Sequence, residues 1–209
     1  MSFYTDCNES EVLETTPGDA CPESLAQPVM AFIQKRMDGS TLNQIDITVA
    51  NEHTLLATYQ GLMTAVDDTK LKLIPKFGAA EMPDPEIRTQ GSGNEVPAGI
   101  PFNLGEGFSS FEAILYGKRQ DIIKSLKKLT GDLAVYLMDH EGQMEAITDD
   151  IDNPSYIRPV PILNFVATSK KRGTYDGVRT NKIAWNHYPN WSDDTFVFKL
   201  AFNPLQDLS

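Results

Sequence analysis

Cysteine is nearly absent from this 209-residue chain, with Cys7 and Cys21 the only two. Two are too few for a disulfide scaffold and, alone, too few for a zinc site. Long hydrophobic runs are missing as well. No stretch approaches the roughly 18 apolar residues of a membrane-spanning helix, and no membrane contact is expected. Met1 to Asp6 carry neither the basic nor the apolar region of a secretory signal and are not expected to act as one. Positive charge is in the minority, 18 Lys and Arg against 29 Asp and Glu, and a net charge of −11 argues against a whole-surface nucleic-acid binder.

Chemical signatures are scarce too. Gly105-Glu106-Gly107 lacks the third glycine of a dinucleotide loop, Gly91-Ser92-Gly93 is followed by no helical pattern, and there is no Walker lysine. His53, His140 and His187 stand far apart, without the spacing of a metal site. Asp149-Asp150-Ile151-Asp152 suggests a calcium loop, but Pro154 falls on a ligand position, and the required glycine and terminal glutamate are missing. No serine lies in a nucleophile elbow, and neither cysteine has neighbours that would lower its pKa. No enzymatic activity, cofactor or metal is expected. Trp185, Tyr188 and Trp191 lie close enough in sequence to form a sugar-stacking surface, although packing in a core or interface is the favoured account of them.

What the chain does have is charge, unevenly placed. Residues 1–27 hold Asp6, Glu9, Glu11, Glu14, Asp19 and Glu23 with no Lys or Arg. Their composition is that of a flexible acidic arm, held by its own domain or by a neighbouring subunit. Lys118, Arg119, Lys124, Lys127 and Lys128 form one basic cluster, and Lys170, Lys171, Arg172, Arg179 and Lys182 another. A second acidic stretch runs from Asp139 to Asp152. Segregated patches of both signs suit docking between copies, and ordinary solvated faces are the plainer alternative.

Residues 28–209 read as one domain. Val29 to Arg36 predicts a short strand. Asn51 stands as an N-cap ahead of a helical stripe of Leu55, Leu56, Tyr59, Leu62, Met63 and Val66. Lys70 to Phe77 predicts a strand that Pro75 ends or confines to an edge. Residues 78–106, with four prolines and five glycines, predict a long loop or β-excursion. Ser109 to Tyr116 predicts a strand, and Ile122, Ile123, Leu126 and Leu129 an amphipathic helix stopped by Gly131. The unbroken apolar run Leu133 to Met138 predicts a central strand covered on both faces. Asp139-His140-Glu141-Gly142 then turns the chain into a return strand, Met144 to Thr148. Pro159 and Pro161 put the start of a strand at Ile157 to Ser169 on an edge. Asp176-Gly177 predicts a turn and Val178 to Trp185 a strand. Phe196, Phe198, Leu200 and Phe202 alternate along a last strand, Thr195 to Phe202. Seven or eight strands and two helices make an α+β, mainly β chain, an antiparallel β-sandwich or curled sheet with flanking helices.

The layout has a counterpart. Ile47 to Val66 leads into Lys70 to Phe77 and the glycine-rich excursion, then Phe111-Glu112-Ala113-Ile114, the helix Gln120 to Leu129, and Leu133 to Asp139 closing on Gly142. Arg158-Pro159-Val160-Pro161, Phe165, Thr174 to Gly177, Lys182 to Trp185 and Trp191 to Leu200 complete it. Over residues 29–203 this order resembles virion structural proteins of tailed phages, notably crAss-like and other phages of Bacteroidetes hosts. The resemblance implies a tail-tube or tail-ring subunit, assembled in the host cytoplasm and resident in the virion, with a collar or capsid-associated protein as the alternative and a small carbohydrate-binding module as the non-structural one. It implies copies of itself and other virion proteins as partners, and viral DNA passing through without sequence-specific binding. The acidic arm lies outside it. On this basis Phe3, Tyr4, Lys118, Arg119, Lys124, Lys127, Lys128, Lys170, Lys171 and Arg172 are candidate interface residues. Glu145, Asp149, Asp150 and Asp152 are candidates to line a channel, where like charge keeps DNA from sticking. Cys7 and Cys21 are read as free or adventitiously oxidised thiols, with a bridge between them as the alternative open outside the host.

Overall fold

All six residues from Leu133 to Met138 are buried, and so are the first five of Met30–Lys35, which pairs with them antiparallel in the register Met30↔Met138 to Lys35↔Leu133. Side chains alternate across a strand, so both strands must be covered twice. Ala31, Ile33, Leu133, Val135 and Leu137 enter one core with Phe111 and Trp185. Met30, Phe32, Tyr136 and Met138 enter a second with Tyr59 and Phe198.

The computed structural model describes residues 27–48, 52–91, 102–150, 154–169, 171 and 178–208. Its strands are β1 (Met30–Lys35), β2 (Met37–Asp38), β3 (Thr41–Leu42), β4 (Ile45–Asp46), β5 (Lys72–Ile74), β6 (Gly78–Glu81), β7 (Ile87–Gln90), β8 (Phe102–Glu106), β9 (Ser109–Tyr116), β10 (Leu133–Met138), β11 (Gln143–Thr148), β12 (Tyr156–Arg158), β13 (Val160–Ala167), β14 (Thr180–His187) and β15 (Thr195–Lys199). Three helices, α1 (Leu56–Thr64), α2 (Gln120–Leu126) and α3 (Pro204–Asp207), join them. The expected mainly β, antiparallel class with flanking helices is what the chain adopts.

β10 is where the sheet forks. Along its free edge, Leu133 to Val135 pair with β13, while Leu137 and Met138 pair with β11. The first branch runs β13–β14–β9–β6. It comes back to β1 through residues 72–81, whose first part pairs with β1 and whose last part pairs with β9. Phe77 N–H donates to Val29 O across that junction at 2.9 Å. The result is a curled sheet closed on itself around the first core, against which Ile123 and Leu126 of α2 pack. The second branch, β15–β11–β12–β4, builds the other core with α1, whose Tyr59 stacks on Phe32 at 5.4 Å between ring centroids.

Several expectations shift. α1 starts at Leu56, after a 3₁₀ turn over Glu52–Thr54, and its N-cap position is Leu55 without a side-chain cap. Asn51 and the Asp176-Gly177 turn lie outside the described residues. Leu55 and Val66 are exposed, so the apolar stripe is narrower than the sequence spacing implied. More strands form than expected, because β2, β3, β4, β6, β7 and β8 arise in segments without an apolar strand pattern, and Pro159 separates β12 from β13. The last strand stops at Lys199, and α3, capped by Asn203, follows unforeseen. The start of the expected edge strand is flanked on both sides, since Ile157 of β12 pairs with β11 and β4; Pro159 separates β12 from β13, and only Pro161 sits where the strand has a single neighbour, β10.

The β10–β11 turn shows how local chemistry fixes register. Buried Asp139 accepts the backbone N–H groups of Glu141 and Gln143 through Oδ1, each at 2.8 Å. Gly142 has φ +81° and accepts Leu200 N–H at 2.8 Å, tying the end of the chain beneath the turn. Gly142→Ala is expected to destabilise the chain by roughly 1–2 kcal/mol, read from chemical denaturation, because a side chain is disfavoured at positive φ.

Candidate assembly surfaces

Not every strand joins the main sheet. β7 and β8 pair only with each other among the described residues, in the register Ile87↔Glu106 to Gln90↔Phe102. Every residue of β7 is exposed. Ile87 is 71% exposed, Leu104 53% and Phe108, just beyond the hairpin, 52%, which is a large apolar display for so short a segment. At its base Gly107 N–H donates to Glu86 O at 2.8 Å, and a Cβ on Gly107 would stand 3.0 Å from that same oxygen. An isolated two-stranded hairpin is at best marginally stable in water, so this one gains from a partner against its apolar side. From the sequence the segment reads as a long loop or a β-excursion. Which residues it would expose was not readable there.

The basic residues fall into two groups in space. Lys118 precedes α2 and lies near Lys76, and partial burial together with that second charge holds its pKa below the usual lysine value. Arg119 is at the N-cap position of α2, where the helix dipole disfavours a cation, and it pairs with Asp121 at 2.9 Å. Lys124 is exposed on the helix. Lys127 Nζ donates to Ser169 Oγ at 2.7 Å, which brings the end of α2 beside the second cluster. There Lys171 is exposed and forms an isolated bridge with Thr180, while Lys170 and Arg172 lie outside the described residues, as do Phe3 and Tyr4.

Lys128 goes elsewhere. With Lys35, Lys70, Lys72, Asp67 and Asp68 it lines a cavity of about 390 Å³, floored by Ile33, Leu129 and Leu133. Lys35 is neutralised by Asp68 at 2.6 Å. Asp67 is turned onto its own loop, where its carboxylate accepts the N–H and hydroxyl of Thr69 and is held below its usual pKa by those bonds. Lys70, Lys72 and Lys128 have no carboxylate partner among the described residues. Burial, then the charges of Lys70 and Lys128, lower the pKa of Lys72. Hydrogen bonds tie the wall: buried Asn43 donates to both Lys35 O (2.8 Å) and Asp68 O (2.9 Å), and buried Gln34 donates to Thr69 O. Reading the sequence by local clusters passed over Lys70 and Lys72. Their alternation with Leu71 and Leu73 was the available signal, since it puts both charges on one side of the chain.

The acidic candidates separate in the same way. Glu145 is 8% exposed, in the middle of β11 between Leu137 of β10 and Val197 of β15, so it cannot line a channel. Its place on a strand flanked on both sides overrides its charge. Asp149 Oδ1 accepts Ser155 N–H at 3.0 Å and Tyr156 N–H at 3.2 Å, and these bonds hold its pKa below the usual value. That carboxylate fastens a loop. Asp150 is exposed and Asp152 lies outside the described residues. Of the aromatic trio, Trp185 is 1% exposed and stacked on Phe111 with ring centroids 4.0 Å apart, so it offers no face to a sugar.

No protein-family model matches the chain, and no curated protein does. Among solved structures it is similar, over 87% of its length and 99% of the other chain, to a chain in the cryo-EM structure of the anti-feeding prophage baseplate, six-fold symmetrised. The identity is 6% and the TM-score 0.29, and a likeness that weak carries no functional weight. Among the described residues no helix is long and apolar enough to cross a membrane.

Proposed function

We propose that this chain is a virion structural protein of a tailed phage, a tail-tube or tail-ring subunit without catalytic role, which assembles with copies of itself and with other virion proteins into rings around a DNA channel. The order of elements over residues 29–203 supports the reading, as set out from the sequence. The structural observation that carries it is the β7–β8 hairpin, which stands off the main sheet and exposes Ile87 and Leu104. A subunit whose work is contact with its neighbours needs such a clasp, together with unlike charged patches that set a heterologous, ring-closing contact. The net charge of −11 suits a conduit through which DNA slides, because like charge repels phosphate.

Negative-stain imaging of the purified protein at high concentration is the test. Rings or tubes with a central channel are the expected result; discs without a channel would favour a collar or capsid-associated place, and a persistent monomer would remove the reading. Ile87→Asp with Leu104→Asp is expected to abolish the rings while shifting stability by no more than about 1 kcal/mol, because both side chains are more than half exposed.

A further inference from the structure

The cavity between β1, β5 and the end of α2 is lined by four lysines and two aspartates. Three of its ammonium groups, on Lys70, Lys72 and Lys128, lack a carboxylate partner among the described residues. Its wall is already set by the bonds of Gln34 and Asn43, so little ordering is needed when a ligand arrives. Elsewhere the same chain carries six carboxylates and no base in residues 1–27, the most one-sided segment of the sequence. Like-charge crowding around Lys72 is relieved by a negative segment more than by any neutral one.

We propose that this cavity receives the acidic N-terminal arm of a neighbouring copy, so that Glu9, Glu11 and Glu14 meet Lys70, Lys72 and Lys128. This rests on the assembly reading above and gives its heterologous contact a specific pair of surfaces. The heterologous contact that the assembly reading requires is what assigns the arm to a neighbour and not to its own domain. Gln27 is fastened beside β6 through Nε2 to Ala80 O at 3.0 Å, and Val29 N–H donates to Met138 O at 2.8 Å, both at the Met30 end of β1. The cavity opens at the Lys35 end, about 20 Å away at the usual rise of a strand. Both edges of β1 are taken, by β10 and β5, so the arm meets the cavity through its side chains and not as an added strand. One subunit thus offers two unlike surfaces at opposite ends of one strand, the requirement for a head-to-tail contact.

The test uses the full-length chain carrying Asp6→Asn, Glu9→Gln, Glu11→Gln, Glu14→Gln, Asp19→Asn and Glu23→Gln, which leaves the cavity free of its own acidic arm. A fluorescent peptide of residues 1–26 is titrated into it and followed by anisotropy. Binding is expected, weakening about tenfold between 50 and 200 mM salt. Adding Lys70→Gln, Lys72→Gln and Lys128→Gln is expected to weaken it at least fiftyfold, and Lys199→Gln to leave it unchanged. The dilute wild-type chain is expected to bind the peptide as tightly as the neutral-arm chain. No binding, or binding indifferent to the three lysines, would overturn the proposal. A dilute wild-type chain that refuses the peptide would also overturn it, because its own arm would then fill the cavity. Lysine-dependent binding of a short DNA duplex in preference to the peptide would make this a phosphate site and end the proposal as well. Peptide binding without rings at high concentration would leave the contact standing and remove the ring, whereas rings without peptide binding would do the reverse.

Discussion

Trp185→Ala is expected to destabilise the protein by about 3–5 kcal/mol, the range for deleting a large aromatic from a packed core. Trp185 is 1% exposed in the closed half of the sheet. Its ring lies on Phe111 at 4.0 Å and on Phe165 at 6.1 Å, and its Nε1–H donates to His187 Nε2 at 3.0 Å. Truncation therefore opens a cavity between β9, β13 and β14 and also removes the donor that a buried imidazole nitrogen depends on. Since a domain of this size holds some 5–15 kcal/mol in total, a large share of the fold's stability would go. Urea denaturation measures it. Tyr188→Ala, at a residue 36% exposed, is expected to stay within about 1 kcal/mol. The contrast also bears on the carbohydrate alternative. A sugar platform built on this aromatic stretch would tolerate loss of its tryptophan in stability and lose binding; Trp185 is expected to show the opposite.

Where a segment's fate is decided by its own side chains, the sequence was enough to read it. Leu133 to Met138 has no polar residue to turn outward, so it had to be covered twice. Asp139 and Gly142 make their turn from within four residues. Phe198 is buried and Lys199 exposed, as the alternation predicts, while Thr195, Phe196 and Val197 are all half-buried in a strand paired with β11. What stayed hidden was decided between segments far apart. Nothing local in residues 72–81 says that one end pairs with β1 and the other with β9, and that pairing is what closes the sheet. Glu145 looked like one more acid in an acidic stretch until β10 and β15 flanked it. The candidate surfaces divide in the same way. Sequence clustering found Lys128 with its helix neighbours, but its electrostatic company is Lys70 and Lys72, more than fifty residues earlier. The glycines and prolines of residues 78–106 left a long loop and a β-excursion equally open. The exposure of Ile87 and Leu104 was not legible, because apolar residues in a loop give no sign of being left uncovered.

Acid is expected to weaken the fold well before its carboxylates are protonated. His187 is fully buried, and burial holds its pKa down to about 4. The bond from Trp185 adds a geometric reason: Nε2 acts as the acceptor, and a proton placed there would face the indole N–H. The neutral ring must then carry its proton on Nδ1, which has no partner among the described residues. In the unfolded chain the same histidine titrates near 6.5. Above that pH neither state holds the proton, and the residue contributes no pH dependence. Between pH 6.5 and 4 the unfolded state binds a proton that the folded state refuses, so stability falls as pH falls, by about 3 kcal/mol over the window. His53, also lowered by burial, acts in the same direction. Asp67 and Asp149 do not interfere, because their pKa values lie below the usual carboxylate range and the stability they give is lost only at lower pH. Urea denaturation at pH 7, 5.5 and 4, on the wild-type chain and on His187→Gln, isolates the effect. Glutamine keeps an acceptor for Trp185 and cannot be charged. The difference between the two slopes should account for most of the 3 kcal/mol, and parallel curves would mean that His187 accepts its proton inside the fold.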